Sequence, residues 1–238
     1  MRKLHIITPV KNSPETTKNT ITHILSGMSG LDAVYTVYND FSTDEFTAEL
    51  AGLSTSGNFE LVNLSDLTTH PSPNYLLILQ TAQARAKEQN ADLLIIESDV
   101  LVENSTLIEM VQSLDKLNNP GMIAAITTDE NGKINFPYLF ARNFKKGAIR
   151  TKKRLSFCCT LLSNEYLHAF DFHELDPEKS WYDVFITVKS FQLGFHNYIL
   201  TTHPVIHLPH SSRPWKKLKY SNPIKYYWEK FTQKRDRI

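Results

Sequence analysis

Apolar residues in the first half of the chain are spaced as in strands that alternate with helices. Short apolar runs at residues 4–10, 33–38 and 59–62 have the length and composition of buried strands. Between them, apolar residues recur every three or four positions, which predicts a helix that begins at Pro14 and another over residues 74–89. A β-α-β-α-β-α-β order is typical of the α/β class, so we expect a doubly wound, mostly parallel sheet flanked by helices.

The next predicted strand ends on two acidic residues. Four aliphatic residues at positions 93–96 are followed by Glu97 and Asp99, and such a run is typical of a strand buried on both faces. In open α/β sheets the ligand binds at the carboxyl ends of the strands. Two unit charges 4 Å apart would repel each other there by roughly 4 kcal/mol at an effective dielectric constant of 20. A divalent cation would relieve this repulsion, whereas the alternative is an acidic cap for a helix that begins near Asn104.

The loop after the second predicted strand also carries an acid. Asp40 follows the apolar run at residues 33–38, and Ser42 and Glu45 have the spacing of a helix capping box. This pattern predicts that Asp40 lies on a strand-to-helix loop. We therefore expect it at the same rim of the sheet as the acids that follow residue 96.

The pattern becomes irregular after residue 120. Residues 122–127 predict a strand, residues 129–132 a hairpin turn, and residues 134–140 the returning strand. Farther along, the apolar positions of residues 180–193 indicate a helix that ends at Gly194. We expect this half of the chain to add a hairpin and a helix to the sheet.

Charge is distributed unevenly, although the formal net charge of the chain is only +1. Residues 213–238 hold nine basic and two acidic residues, a net of +7, which leaves −6 for the remainder. Residues 142–154 hold seven basic residues and no acid. Such segregation favours an anionic ligand or surface, with a solvated basic tail as the alternative. Aromatic residues interleave with the basic ones in the tail, as in an interfacial helix on an anionic membrane, but they could equally pack on the sheet.

Size and composition exclude several classes of protein. At 238 residues and 41% hydrophobic content the chain can bury one sizeable core. It has neither a G-x-G-x-x-G fingerprint nor a P-loop, which argues against nicotinamide-dependent and kinase-type enzymes. No nucleic-acid recognition module is found, so we expect no nucleic-acid partner.

Two further features bear on location. No apolar run approaches 18 residues. The only two cysteines, Cys158 and Cys159, are adjacent, which disfavours an ordinary disulfide and fits a reducing compartment. We therefore expect a cytoplasmic protein, and peripheral contact with the inner face of the cell membrane through the basic tail stays open.

Three segments resemble, in order and spacing, motifs of the family 2 nucleotide-sugar glycosyltransferases of the GT-A fold. Residues 8–12 are similar to that family's opening I-P-x-Y-N segment, with Pro9 at its proline. Residues 38–44 are similar to its D-D-x-S-x-D loop, in which Asp40 matches the second acid. Residues 97–99 are similar to its D-x-D metal motif. The first acid of each of the two acidic motifs is replaced, by Asn39 and Glu97.

A fourth segment, residues 181–195, is similar to the family's E-D-x-x-x-x-x-R-x-x-x-x-G-[YF] helix. Asp183 matches its aspartate and Lys189 its basic residue, whereas Tyr182 replaces its glutamate. In such enzymes that aspartate is the general base for the acceptor hydroxyl, and an acid at a helix start that faces the donor sugar could accept this proton. The alternative is that Asp183 only caps the helix.

Three histidines follow this helix within eight residues, at His203, His207 and His210. Imidazole suits Zn²⁺. In an extended segment His203 and His207 share a face and His210 points elsewhere, so three ligands to one ion would need a turn. In the family a histidine after the last strand can complete the metal site, and His207 fits that position best, with His210 as the second candidate.

The resemblance implies an inverting, metal-dependent glycosyltransferase that moves one sugar from a nucleoside diphosphate sugar, UDP above all, to an acceptor hydroxyl. The expected acceptor is a glycan or lipid-linked molecule in surface glycan or polysaccharide biosynthesis. The resemblance implies that Asp99 and His207 bind Mn²⁺ or Mg²⁺ and that Asp183 is the catalytic base. The residues implied at the donor are Pro9, Asp40, Glu97 and Asp99.

The resemblance covers roughly residues 3–212 and implies the organisation of the chain. We expect a GT-A-like domain at residues 1–212 with a nucleotide-binding half, 1–103, and an acceptor-binding half, 104–212, then a helical basic tail at residues 213–238. Two other functions stay open. One is a nucleotide-sugar-binding protein without turnover, motivated by the substitutions at Asn39, Glu97 and Tyr182; the other is a zinc hydrolase built on the three histidines.

Overall fold

A nine-stranded sheet with helices on both faces organises the protein, as a computed structural model of residues 2–208 and 222–232 shows. The strands are β1 (Lys3–Val10), β2 (Ala33–Asn39), β3 (Glu60–Asn63), β4 (Ala91–Ile96), β5 (Val100–Leu101), β6 (Pro120–Thr128), β7 (Ala148–Thr151), β8 (Cys159–Leu162) and β9 (His196–His207). The helices are α1 (Pro14–Gly27), α2 (Asp44–Ser56), α3 (Tyr75–Glu88), α4 (Asn104–Lys116), α5 (Asn164–Ala169), α6 (Tyr182–Gln192) and α7 (Pro223–Thr232).

The strand order is β3-β2-β1-β4-β8-β6-β9-β5, and β7 pairs with β9 at a branch. Strands β1 to β4 are mutually parallel, as the alternation in the sequence predicts. Strand β8 lies antiparallel between β4 and β6, and β6 and β9 are again parallel. The expected α/β fold with a mostly parallel, doubly wound sheet is thus confirmed, with an antiparallel strand inserted beside β4.

Two hydrophobic cores, one on each face of the sheet, bury the strands. Helices α1, α2 and α4 contribute Ile24, Leu50 and Leu107 to one core. Helices α3 and α6 contribute Leu79 and Ile186 to the other. Because both faces are covered, β4 is buried at each of its six positions. After Asp92 it is apolar through Ile96, as is typical of a strand in that environment.

Two local predictions of the sequence are wrong. Residues 134–140 do not return as a strand: beyond an isolated bridge between Thr128 and Ile134 they form a short 3-10 turn at Leu139–Ala141. The side chain of Thr43, and not that of Ser42, caps α2 by accepting a hydrogen bond from the backbone N–H of Phe46.

Helix α7 is the part of the basic tail that the structure describes. Its exposed apolar side chains include Ile224, Tyr227 and Trp228, whereas Tyr226 is buried. None of the helices among the described residues is both long and apolar enough to cross a membrane. The expectations for His210 and for residues 213–221 lie outside the described residues, so the membrane contact stays a prediction.

An ion pair fastens the amino end of β4. The guanidinium of Arg2 donates to both carboxylate oxygens of Asp92, at 2.8 and 3.0 Å, and the backbone N–H of Asn164 donates to the same carboxylate at 2.8 Å. The Asp92 side chain is 2% exposed. The hydrogen bond with Asp92 raises the pKa of Arg2. This end of the strand therefore carries a buried acid with a permanent cation beside it.

Candidate functional site

The acidic segment that the sequence predicts forms a tight turn between β4 and β5. The backbone N–H of Glu97 donates to the carbonyl of Cys158 at 3.0 Å, and the N–H of Val100 donates to the carbonyl of Glu97 at 3.2 Å. These bonds fix the turn against β8 and reverse the chain within three residues. Glu97 is partly exposed, and Asp99 is 2% exposed. Both carboxylates thus leave the sheet at the carboxyl end of β4, which is buried along its whole length.

The end of β9 brings His207 to the same place. His207 pairs with Val100 in the antiparallel β5–β9 ladder, and its Nε2 lies 3.5 Å from Oδ2 of Asp99. Its Nδ1 donates to the carbonyl of Phe136 at 2.8 Å. A histidine that donates one ring N–H to a carbonyl presents the other nitrogen in a fixed orientation, as metal-binding histidines do.

Cys158 completes the cluster. Its thiol donates to Oε2 of Glu97 at 3.3 Å, and ligand atoms of Glu97, Cys158 and His207 all lie within 4.8 Å of one another. Cys158 directly precedes β8, which pairs with β4 in antiparallel register. Sequence reasoning missed this residue because it considered Cys158 only as evidence about disulfides and gave it no place in the sheet; the antiparallel pairing of β8 with β4 places it beside Glu97.

The charges of the cluster alter two pKa values. Burial lowers the pKa of His207, but the hydrogen bond to Asp99 and the charges of Asp99 and Glu97 outweigh burial, so that its pKa is raised. Burial raises the pKa of the Cys158 thiol, and the charge of Glu97 raises it further. The site therefore favours extra positive charge, whether a proton on His207 or a bound cation.

Asp183 lies in the first turn of α6, where the sequence places it. One of its carboxylate oxygens accepts from the backbone N–H of Val184 at 2.9 Å, and the other lies 3.6 Å from Nε of Arg154. Arg154 belongs to the basic stretch at residues 142–154, which carries no motif to single it out. Arg154 and the N–H of Val184 orient the carboxylate, and the side chain of Asp183 is 17% exposed.

A short segment, residues 154–158, joins Asp183 to the acidic turn. Arg154 at one end contacts Asp183, and Cys158 at the other contacts Glu97. Four residues of extended chain span at most about 14 Å, which limits the distance between the backbones of Arg154 and Cys158 and so links the base candidate to the acidic cluster. Tyr138 holds this segment through hydrogen bonds to the backbone of Ser156.

Asp40 is buried and already holds three hydrogen bonds. Its carboxylate accepts from the side chain of Ser72 at 2.7 Å and from the backbone and side chain of Asn74, each at 2.9 Å. It thereby fixes the loop that enters α3. Pro9 lies near it, since β1 and β2 pair Pro9 with Tyr38. The carboxylate is thus an anchor of the loop, and donor contact by Asp40 or Pro9 stays a prediction.

Two departures from the family motifs have structural reasons. The amide of Asn39 donates to Thr47 and to Asn63, each at 2.9 Å, and an aspartate in its place would have no hydrogen to donate. Tyr182 is 6% exposed and stacks on Tyr75, with ring centroids 6.5 Å apart. Both substitutions therefore serve packing and hydrogen bonding in this chain.

Other candidates from the sequence lie apart from the cluster. Lys189 is 3.5 Å from a carboxylate oxygen of Glu174 and 5.2 Å from the ring centroid of Phe170, so its described partners are not at the acidic turn. His203 bonds to Thr202 at 3.1 Å. Among the described residues, the group suited to a metal joins His207 to Glu97 and Cys158 and does not include His203. His210 lies outside the described residues.

The cluster fits a divalent cation. Carboxylate oxygens are the ligands that Mn²⁺ and Mg²⁺ prefer, and a histidine with its second nitrogen fixed is a common partner. Glu97 and His207 belong to the group of ligand atoms within 4.8 Å of one another. Asp99 is not in that group, but its Oδ2 lies 3.5 Å from Nε2 of His207 at the same rim of the sheet. The thiol of Cys158 is the member that a hard cation does not require.

No protein-family model matches the chain, and no curated protein matches its sequence. Its structure, however, is similar to several solved glycosyltransferases. S. aureus TarS, solved over residues 1–349, matches with a TM-score of 0.67 and 16% identity over 86% of this chain and 60% of that one. This chain thus spans less than two thirds of the length of that structure.

Two more solved structures resemble the chain. A mannosyltransferase from Pyrobaculum calidifontis, in complex with GDP-Man and Mn²⁺, matches with a TM-score of 0.63 and 14% identity over 96% of this chain and 64% of that one. GalNAc-T7 with UDP, GalNAc and Mn²⁺ matches with a TM-score of 0.60 and 11% identity over 89% of this chain and 44% of that one. The likeness extends over most of the sequence, and it shows that this chain has the GT-A fold.

Proposed function

We propose that this protein is a metal-dependent, inverting glycosyltransferase that transfers one sugar from a nucleoside diphosphate sugar to an acceptor hydroxyl. The observation that carries the proposal is the convergence of Glu97, Asp99 and His207 at the carboxyl ends of β4 and β9 in a GT-A fold. The ligands of the similar structures support it. TarS was solved with UDP and with UDP-GlcNAc, and the two other enzymes with GDP-Man or UDP together with Mn²⁺.

Asp99 and His207 would hold Mn²⁺ or Mg²⁺, with Glu97 next to them. When bound, the cation offsets the charge that develops on the leaving diphosphate. The protein's own part is to fix these ligands: the turn bonds orient Glu97, the β5–β9 ladder positions His207, and the carbonyl of Phe136 fixes the imidazole.

Asp183 is the proposed base for the acceptor hydroxyl. Its carboxylate is partly exposed and is oriented by Arg154 and by the first turn of α6. Accepting the proton as the hydroxyl attacks the anomeric carbon from the side opposite the diphosphate would invert the configuration. The basic residues 142–154 lead directly to this carboxylate, and they suit an anionic donor or acceptor.

Replacing Asp183 by Asn tests the assignment. We expect transfer to fall by at least 10²-fold, because general base catalysis contributes about 10²–10⁴-fold, while Mn²⁺-dependent UDP binding in calorimetry stays intact. Asp171→Asn is the matched control, since Asp171 caps a helical turn at the surface and lies outside the proposed site. Transfer at a near wild-type rate in D183N would exclude Asp183 as the base. Metal-dependent UDP binding with no UDP release from any donor tested would instead favour the binding protein without turnover.

The donor can be narrowed by a thermal-shift screen of UDP, GDP, dTDP and CMP sugars with and without Mn²⁺. A ligand that binds only the folded protein raises the stability of that protein by about 2.7 kcal/mol when the ligand concentration is 100 times the dissociation constant. We expect the largest shift with a UDP sugar and Mn²⁺ together. The proposed second substrate, the acceptor, is a glycan or a lipid-linked molecule. The proposed location of the protein is the cytoplasm, at the inner face of the cell membrane.

A further inference from the structure

The cysteine in the acidic cluster is chemically out of place in a site for Mn²⁺ alone. Hard cations such as Mn²⁺ and Mg²⁺ are suited by carboxylate, carbonyl and water oxygens, whereas thiolates select softer ions such as Zn²⁺. Cys158 nevertheless directs its sulfur at Oε2 of Glu97 from 3.3 Å. The sulfur is buried, whereas Glu97 is partly exposed, so the thiol lies on the inner side of the carboxylate.

Three different ligand types meet at this point. One ligand atom from each of Glu97, Cys158 and His207 lies within 4.8 Å of the other two. A tetrahedral zinc ion with bonds of about 2.0 to 2.3 Å holds its ligand atoms about 3.3 to 3.8 Å apart. The sulfur and the Glu97 oxygen already have such a separation. The ligand nitrogen of His207 lies within 4.8 Å of both atoms, and its approach to them would complete three protein ligands.

His207 carries an independent mark of a metal ligand. Its Nδ1 donates to the carbonyl of Phe136 at 2.8 Å, which leaves Nε2 free to act as a ligand; this nitrogen lies 3.5 Å from Oδ2 of Asp99. Zinc-binding histidines typically donate their second N–H to such a carbonyl or carboxylate. The backbone is fixed as well, because the Glu97 N–H bonds to the carbonyl of Cys158 and joins two of the three ligands.

We infer that Glu97, Cys158 and His207 form a binding site for Zn²⁺ that shares His207 with the site proposed for the donor's cation. On binding, the Cys158 thiol gives its proton to solvent and the thiolate sulfur becomes a zinc ligand. The fourth position is open to water or to Asp99, whose Oδ2 lies 3.5 Å from the shared imidazole. Because one imidazole nitrogen cannot serve two ions, Zn²⁺ and Mn²⁺ exclude each other; this consequence rests on the proposed function, but zinc binding itself does not.

The neighbouring cysteine provides a matched control. Cys159 is also buried, but it is the first residue of β8 and its sulfur lies 3.7 Å from the sulfur of Met110 in the core. Cys158→Ala and Cys159→Ala therefore remove the same atom type at adjacent, buried positions. Only the first removes a sulfur from the cluster.

Cobalt substitution tests the inference on the metal-free, fully reduced protein. Co²⁺ bound by a thiolate shows a sulfur-to-cobalt charge-transfer absorption in the near ultraviolet. We expect this band in the wild type and in C159A, its loss in C158A, and its quantitative removal when Zn²⁺ is added. Zinc affinity, measured by competition with a chromophoric chelator, should fall at least tenfold in C158A.

Several results would overturn the inference. They are a wild type without the charge-transfer band, a band that persists in C158A, and equal loss of the band in the two variants. Cys158→Ser guards against misfolding of the alanine variant, because its hydroxyl fills nearly the same space without a sulfur; it must also lack the band.

Free Mn²⁺ measured by paramagnetic resonance tests the shared imidazole. Zn²⁺ should release Mn²⁺ from the wild type one for one, and simultaneous binding of both ions would refute the sharing of His207. The UDP calorimetry separates the two proposals. Absence of the band with metal-dependent UDP binding intact refutes only the zinc site, whereas a band without any nucleotide binding refutes only the proposed function.

Discussion

The two ends of β4 both carry buried acids, but in opposite electrostatic settings. At the amino end, Asp92 receives two hydrogen bonds from Arg2 and one from a backbone N–H. At the carboxyl end, the described partners of Glu97 and Asp99 include a thiol and a histidine. A guanidinium carries a permanent charge that satisfies an acid, whereas a thiol and an imidazole are metal ligands. The contrast teaches that the neighbours of an acid, more than its burial, separate a structural pair from a candidate site.

The largest effect should follow from neutralising the acid at the carboxyl end. In Asp99→Asn the charge next to His207 is lost, and we expect Mn²⁺-dependent UDP binding, measured by calorimetry, to weaken by about 100-fold or more. The reason is that even an outer-shell partner of a metal ligand is typically worth 10- to 100-fold in metal affinity. Asp92→Asn makes the same change at the other end of β4 and should leave this affinity within a factor of about 3. Equal losses in the two variants would contradict the proposed division of roles.

Removing the cation at the amino end of β4 should lower the stability of the protein and leave Mn²⁺-dependent UDP binding unchanged. Arg2→Ala leaves Asp92 buried without its cation, and breaking such a pair costs about 3 kcal/mol of the free energy of unfolding. This value is at the low end of the usual range because the N–H of Asn164 still donates to Asp92. Urea denaturation measures the loss.

Lys18→Ala is the control for the arginine variant. Lys18 pairs with Glu49 at 2.6 Å, but both side chains are 39% exposed, and a surface pair contributes only about 0 to 1 kcal/mol. If R2A were no less stable than K18A, the amino end would not be the structural pair that its geometry indicates. If R2A weakened Mn²⁺-dependent UDP binding, the two ends would not be independent.

The parts of the protein that could be predicted from sequence are those that local patterns determine. Hydrophobic periodicity is local, so it predicts the helices and the four parallel strands of the first half. The rule that ligands bind at the carboxyl ends of such strands then predicts Glu97 and Asp99 at one rim, and the histidine position in the family adds His207. The structure brings these three residues together.

Residues that reach the site through long-range pairing could not be predicted. Insertion of β8 antiparallel between β4 and β6 depends on pairs that are 63 to 69 residues apart with β4 and 36 to 40 residues apart with β6, and no local pattern encodes such an order. Cys158 and Arg154 belong to the segment that this insertion positions. The wrong returning strand at residues 134–140 has a related cause, because the β6 partner positions that it would occupy belong to β8 and β9.

The smallest expected effect is a dependence on pH. Acidification should make the two ends of β4 more alike. The pKa of His207 is raised in the folded protein, despite burial, by Asp99 and Glu97. The protonated form of His207 therefore stabilises the metal-free protein. This stabilisation is complete at pH values below the unfolded-state pKa of about 6.5, and it is lost as the pH rises through the folded-state pKa. In that lower range the carboxyl end holds an ion pair, as the amino end does through Arg2 and Asp92. A metal ion requires the neutral imidazole, so metal affinity should change in the opposite sense and rise with pH through the same interval.

Nuclear magnetic resonance of the histidine ring protons in the metal-free protein measures this titration directly. We expect the His207 midpoint above 6.5 in the wild type and a lower midpoint in Asp99→Asn, since that variant removes the nearest charge. Asp92→Asn, with the same change of charge at the far end of the strand, should leave the midpoint where it is in the wild type. If the midpoint shifted equally in both variants, His207 would be responding to the overall charge of the protein. The 3.5 Å pair with Asp99 would then not distinguish this end of β4 from the other.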